Sequence, residues 1–235
     1  MSRGFDSPHV HHFMITLFGS CRLGDIKNKN NINEETSFIH STKEAIQLIK
    51  FLKGELTFDD PYNRLCFRTG VMQNRSIQFS QERKNQFDSS DICVVEICSR
   101  KKYVHNGHYL HHLCVDPRFK EYNTNTPRNI LSEYKIEHQS DQEIIDDVST
   151  IKNLIEGKKL ILACHYNSKM NGKFIKSRVD LIELVCQIAE QYKLDLINPN
   201  EALDGISQND VMQDTLGHYT ALGHKMMADY TSKFL

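Results

Sequence analysis

No stretch of this chain is apolar for anything near the roughly 18 residues that a membrane span needs. No charge of one sign dominates either. Lys and Arg number 29 against 30 Asp and Glu, for a formal net charge of −1. That balance leaves no global field to draw in nucleic acid or anionic lipid, so neither is an expected partner. There is no Cys-x-x-Cys pair, no Gly-x-Gly-x-x-Gly turn and no P-loop, and with them go the usual marks of zinc ribbons and nucleotide sites. Internal repeats and low-complexity linkers are also missing. Met1 to His12 is polar and His-rich and lacks the apolar centre of a signal peptide.

What is there suits a globular α/β protein. The chain has 235 residues, 39% of them hydrophobic and 25% charged, enough for one real core. The seven cysteines, Cys21, Cys66, Cys93, Cys98, Cys114, Cys164 and Cys186, are odd in number and mostly sit in apolar runs, as small buried thiols do. A reducing compartment, and hence a cytoplasmic location, is the expectation. Residues 1–11 read as a polar tail and 12–235 as a single domain.

Short apolar runs alternate with amphipathic helices, the pattern of a parallel sheet covered on both faces. Strands are expected at Phe13–Phe18, Arg64–Arg68, Ile92–Ile97, Leu160–Cys164 and Leu194–Ile197. Helices are expected at about Thr42–Lys53 and Asp141–Glu156, each opened by a capping box (Ser41 with Glu44, Ser140 with Glu143). Two more are expected at about Val179–Tyr192 and Ala221–Phe234. The fold class is α/β: a three-layer α/β/α sandwich around a five-stranded parallel sheet. Ligands of such folds bind beyond the carboxyl ends of the strands. The stretch from about 101 to 139 is too long for a plain connection and reads as an excursion over that rim.

Two motifs lie at the rim. In Phe18-Gly19-Ser20-Cys21-Arg22, a Gly after a buried strand permits a sharp turn that presents a hydroxyl or a thiol. Near the other end of the chain, Asp214 and His218 precede the last helix, and a carboxylate near an imidazole can serve as orienter and base. Taken singly, the first motif reads more simply as a strand-end turn of small residues and the second as helix-capping chemistry at Thr220.

Together they resemble the SGNH/GDSL hydrolase superfamily, in its Gly-Ser-Cys-type subgroup. The segment from His218 to His224 is similar to the His-x-x-x-x-Gly tail of those enzymes. The resemblance spans nearly the whole chain and implies a flavodoxin-like sandwich. It also implies a Ser-His-Asp triad of Ser20, His218 and Asp214, with Cys21 as the alternative nucleophile. Departures are visible. Cys21 stands where the family's Ser follows Gly by two positions, Asp214 lies four residues before His218 rather than three, and Cys98-Ser99-Arg100 replaces the family's Gly-x-Asn block. Gly70 falls where the second-block Gly is expected. Arg22, Ser99, Arg100, His165 and Asn167 are the remaining candidates for oxyanion or substrate contacts.

His105, His108, His111 and His112 form a His-rich run, but no Cys or carboxylate pattern completes a standard finger. They read as solvated loop residues; no metal and no cofactor is expected. The resemblance implies an esterase, deacetylase or acyltransferase acting on a small-molecule or glycan acyl substrate, carbohydrate-linked in many relatives. The rival is a non-catalytic carbohydrate- or phosphosugar-binding module that keeps the fold.

Overall fold

The computed structural model describes residues 13–27, 31–213 and 217–235. In chain order the strands are β1 (Ile15–Phe18), β2 (Ile92–Glu96), β3 (Lys101–His105), β4 (His108–Leu110), β5 (Lys135–His138), β6 (Lys159–Ala163), β7 (Lys169–Met170), β8 (Lys173–Phe174) and β9 (Asp195–Ile197). The main sheet is parallel and runs β1-β2-β6-β9. Its side chains alternate between two apolar layers, as the two-residue period of a strand requires. Phe18, Cys93, Val95, Leu160 and Leu162 face one layer, with the Thr42–Leu52, Asp141–Leu154 and Lys176–Tyr192 helices. Ile15, Leu17, Ile92, Val94, Ile161 and Ala163 face the other, with Leu23, Val211, Tyr219 and Met227. The Ala221–Thr231 helix covers this second face. The result is the expected three-layer α/β/α arrangement. Both capping boxes form, with Glu44 Oε2 accepting from Ser41 N at 2.8 Å and Glu143 Oε2 from Ser140 N at 2.9 Å.

The sheet has four strands, not five. Arg64–Arg68 is instead the end of the Tyr62–Leu65 helical turn and the start of the Arg68–Gln73 helix. Leu65, Cys66 and Phe67 are buried in the core, and a short apolar run satisfies either geometry. The place beside β1 goes to residues 31–39, whose backbone meets it at the isolated parallel bridges Ile15↔Asn31 and Gly19↔Phe38. Between these bridges the Asn33 side chain does a strand's work. Its Oδ1 accepts from Leu17 N at 2.8 Å and its Nδ2 donates to Leu17 O at 2.9 Å. The spatial order is therefore residues 31–39, β1, β2, β6, β9. This is the flavodoxin-like order, whose ligand crevice opens at the switch point between β1 and its later neighbour.

The excursion forms its own sheet of β4-β3-β5. Asn106 and Gly107, both at positive φ (47° and 78°), turn β3 into β4, as two-residue hairpins demand. Gln47 clips this hairpin to the body: its Nε2 donates to Tyr109 O and its Oε1 accepts from Tyr109 N, both at 2.8 Å. Among the described residues no helix is long and apolar enough to cross a membrane.

Gly70 lies inside the Arg68–Gln73 helix, where a Cβ would come within 2.4 Å of Arg64 O. Gly70→Ala is expected to destabilise the fold by about 1–3 kcal/mol through overpacking. That outweighs the roughly 1 kcal/mol by which Ala beats Gly inside a helix. A urea midpoint that falls at unchanged slope checks this; a midpoint that rises would contradict it.

Candidate functional site

At the carboxyl end of β1, Gly19 lets a carboxylate approach. A Cβ there would meet Glu96 Cβ at 3.0 Å and Glu96 Oε2 at 3.1 Å. Glu96 ends β2, buried to 1% exposure. Its Oε2 accepts from Ser20 N at 2.6 Å, and its Oε1 accepts from Arg22 Nε at 3.1 Å and Arg22 Nη2 at 2.8 Å. Burial opposes both charges. The Arg22 cation nonetheless holds the Glu96 carboxyl below its usual range, and Glu96 and its neighbours raise the Arg22 pKa despite the burial. This pair ties the turn after β1 to the end of β2.

Ser20 caps the helical turn Cys21–Leu23. Its Oγ accepts from Arg22 N at 3.3 Å, and the residue is 5% exposed. Cys21, the next residue, carries an exposed free thiol. His218 stands on a loop closed by the antiparallel Met212↔Tyr219 bridge and by Gln213 N donating to His218 O at 2.7 Å. Gly217 seats that loop at φ 104°, where a Cβ would lie 2.8 Å from His165 Cε1 and 3.3 Å from Arg22 Nη1. A cavity of about 510 Å³ is lined by Ser20, Cys21, Arg22, Ser99 and His218 among others. A smaller one of about 180 Å³ again brings Cys21 and His218 together, with Arg22, Gln213, Tyr219 and His224.

Of the residues singled out from the sequence, the fold thus gathers Ser20, Cys21, Arg22, Ser99 and His218 at one pocket. His165 lies behind them. It is buried, and its pKa is pushed down to about 3 by burial and by the Arg22 and Arg178 charges. Its Nδ1 is 2.9 Å from Tyr166 O, so the neutral ring carries its proton there. Three candidates lie elsewhere. Gly70 is packed inside its helix. Arg100 turns outward to Asp141 at 2.5 Å and lines a separate groove. Asn167 leads the chain away from the pocket, its N donating to Asn200 Oδ1 at 2.6 Å. Asp214 lies outside the described residues.

The far wall of the larger cavity includes groups that the motifs do not flag. Arg68 stacks over the Phe38 ring at 4.1 Å. Glu44, buried under His40, is pushed up to about 7 by burial, against three hydrogen bonds from His40 N, Ser41 N and Ser41 Oγ. The histidines of the excursion are not the solvated loop residues expected. Tyr62 hydrogen-bonds His105 Nδ1 at 2.7 Å and stacks on His108 with centroids 4.0 Å apart. His111 is fully buried, and burial drives its pKa well down. His112 is brought to about 4 by burial, Asp116 partly opposing.

Residues 13–129 and 116–234 each match the family model described as the TviD N-terminal domain. The chain is 23% identical over 254 residues to the Vi polysaccharide biosynthesis protein TviD of Salmonella typhi, covering 88% of this chain and 30% of that protein. It therefore spans under a third of that relative's length. Similar solved structures include a peptidoglycan O-acetylesterase (12% identity, TM-score 0.40, 70% of this chain and 42% of the other). An acetylxylan esterase from Geobacillus stearothermophilus is also similar (14% identity, TM-score 0.37, 61% and 58% covered). So is an alpha/beta hydrolase from the metagenome of Lake Arreo, Spain (10% identity, TM-score 0.42, 94% of each chain).

Proposed function

The chain belongs to the TviD N-terminal domain family, and from that premise and its pocket we propose that it moves acyl groups on or off a carbohydrate-linked substrate. One observation carries the reading. The exposed Cys21 thiol and the His218 imidazole line the same pocket at the carboxyl end of β1, whereas the Ser20 hydroxyl is occupied as a helix cap. Cys21 is accordingly the nucleophile and His218 its base; Ser20 positions the turn. The carbohydrate is carried over from the polysaccharide-biosynthesis name of the relative.

His218 takes the thiol proton as Cys21 Sγ bonds to the acyl carbonyl carbon. We assign the oxyanion to the Cys21 N–H, which has no partner among the described residues, and to the Ser99 hydroxyl, both from residues that line the cavity. When the ester C–O bond breaks, His218 returns the proton to the departing sugar oxygen and a thioester is left on Cys21. Water, or a second sugar hydroxyl, then attacks the thioester, loses its proton to His218 and frees the thiolate. Asp214 is assigned as the orienter of His218 on sequence spacing alone.

The test is a rapid-quench assay with p-nitrophenyl acetate and with O-acetylated oligosaccharides, followed by peptide mass spectrometry. An acetyl group appearing on the peptide that holds Cys21, and vanishing on addition of acceptor, is the expected result. In His218→Ala both steps should slow by several powers of ten. A wild type that neither acquires the acetyl group nor turns over any acyl substrate sinks the reading and leaves a binding module in its place.

A further inference from the structure

Outside the Cys21–His218 pair, one other cluster has the chemistry of a site. His40 follows the segment bridged to β1, while His111 and His112 follow β4; the chain brings all three together. One ring nitrogen from each lies within 4.8 Å of the others. Three ring nitrogens here are buried with no hydrogen-bond partner: His40 Nδ1, His111 Nε2 and His112 Nδ1. A buried polar atom left unpaired is costly, so three together in one cluster call for a ligand.

The rings are also held in place from behind. Glu44 Oε2 accepts from His40 N at 2.8 Å. His111 N donates to Leu65 O at 2.9 Å, and the Gln47 clip fixes the strand just before it. The ring centroids are 4.2 Å apart for His40 and His112 and 4.6 Å for His111 and His112. His40 and His112 line the larger cavity together with Cys21 and His218.

We propose that His40, His111 and His112 form a three-histidine site for a divalent transition metal, zinc in the first instance, with its fourth position open to the pocket that holds Cys21 and His218. Three neutral imidazoles with a free fourth position are the donor set of catalytic zinc, and burial favours the neutral rings. At the Zn–N length of about 2.0–2.1 Å, tetrahedral ligand nitrogens stand about 3.3 Å apart. Loading thus draws the rings inward by at most about 1.5 Å. The weak 3.4 Å contact from Leu113 N to His111 Nδ1 lapses as that nitrogen takes the ring proton. Arg68 places positive charge near the three rings. It weighs against a bare dication and in favour of one that carries an anionic fourth ligand from the pocket.

This site rests on its own geometry and not on the acyl-group reading, and the experiment separates the two. The wild-type protein, stripped by chelator, is titrated with zinc alone and with cobalt alone. Expected are one equivalent bound per chain, visible cobalt ligand-field bands of tetrahedral strength, and X-ray absorption showing three imidazoles around zinc. His40→Gln and His112→Gln should each weaken binding by more than the roughly 10–100-fold that loss of an outer-shell partner costs. Cys21→Ala should still load one equivalent even if every acyl assay fails. No stoichiometric uptake by the wild type overturns the proposal. So does a zinc shell containing sulfur or fewer than three imidazoles. Both of these measurements use the wild type alone and decide the matter even if the variants fail to fold.

Discussion

Cys21→Ala is expected to lower acyl turnover on the order of 10⁴-fold or more while leaving the melting temperature within error of wild type. Cys21 is exposed and its thiol makes no hydrogen bond among the described residues, so its loss removes a nucleophile and almost no packing. Ser20→Ala reverses the pattern. Its Oγ caps Arg22 N, and loss of such a cap costs about 0.5–2 kcal/mol of stability. Turnover should fall by no more than about one power of ten, on the order of the 1.4 kcal/mol that a tenfold rate change represents. Brief iodoacetamide treatment should inactivate the wild type and Ser20→Ala alike, by alkylating Cys21. The assignment to Cys21 is sunk if Ser20→Ala is the inactive variant and Cys21→Ala retains its rate.

The second large effect is on stability. Glu96→Ala strands the largely buried Arg22 cation, 11% exposed, and leaves Ser20 N without its acceptor. Breaking a buried pair from one side costs about 3–5 kcal/mol, or roughly 6–20 °C in Tm for a chain of this size. Removing both charges together, as Glu96→Met with Arg22→Met, should recover part of that loss, since a buried pair replaced by apolar groups is often near neutral. The acid side follows from the sign of the Glu96 shift. Burial works against its charged form, but Arg22 prevails and the folded-state pKa is depressed. The stabilisation is therefore fully present above the ordinary Glu pKa and is lost as pH falls through the lower folded value. Acid titration of the wild type should show this loss and the Glu96→Ala variant should not. A Tm drop of only a degree or two in Glu96→Ala would show that the pair does not hold the rim together.

Three of the four main strands, β1, β2 and β6, are legible as short, largely apolar runs between turn residues, the mark of strands buried on both faces; β9, with Asp195 exposed, is legible by its place between a helix and the Asn198-Pro199 stop. The edge beside β1 is not. Residues 31–39 show no apolar alternation, because Asn33 replaces a strand's backbone with its own amide. The Leu65–Phe67 run is open to either reading, and helix wins it. At the site, motif wording and strand ends alone point to Ser20, Cys21 and His218. Glu96 carries a usable signal: a carboxylate inside the apolar run Ile92–Ile97 must have a partner. No pattern names Arg22 as that partner, since the two meet only across the β1–β2 switch point. His40 gives no local hint either; its relation to His111 and His112 exists only once the β3–β4 hairpin is clipped down by Gln47. Gly70, Arg100 and Asn167 are candidates by analogy with strand ends, and their real neighbours lie on helices and outer grooves.

The second apolar layer sets a timetable for a chain made on the ribosome. Ile15, Leu17 and Leu23 emerge early, yet their cover includes Val211, Tyr219 and Met227, which at about 5–20 residues per second follow roughly 10–40 s later. Through that interval one face of β1 has no lid, and the nascent chain presents a greasy surface of the kind that holding chaperones bind. On the assignment made above, the same delay acts as a safeguard. The thiol is synthesised about 200 residues before its base, so a chain truncated anywhere between them carries the nucleophile without the means to activate it.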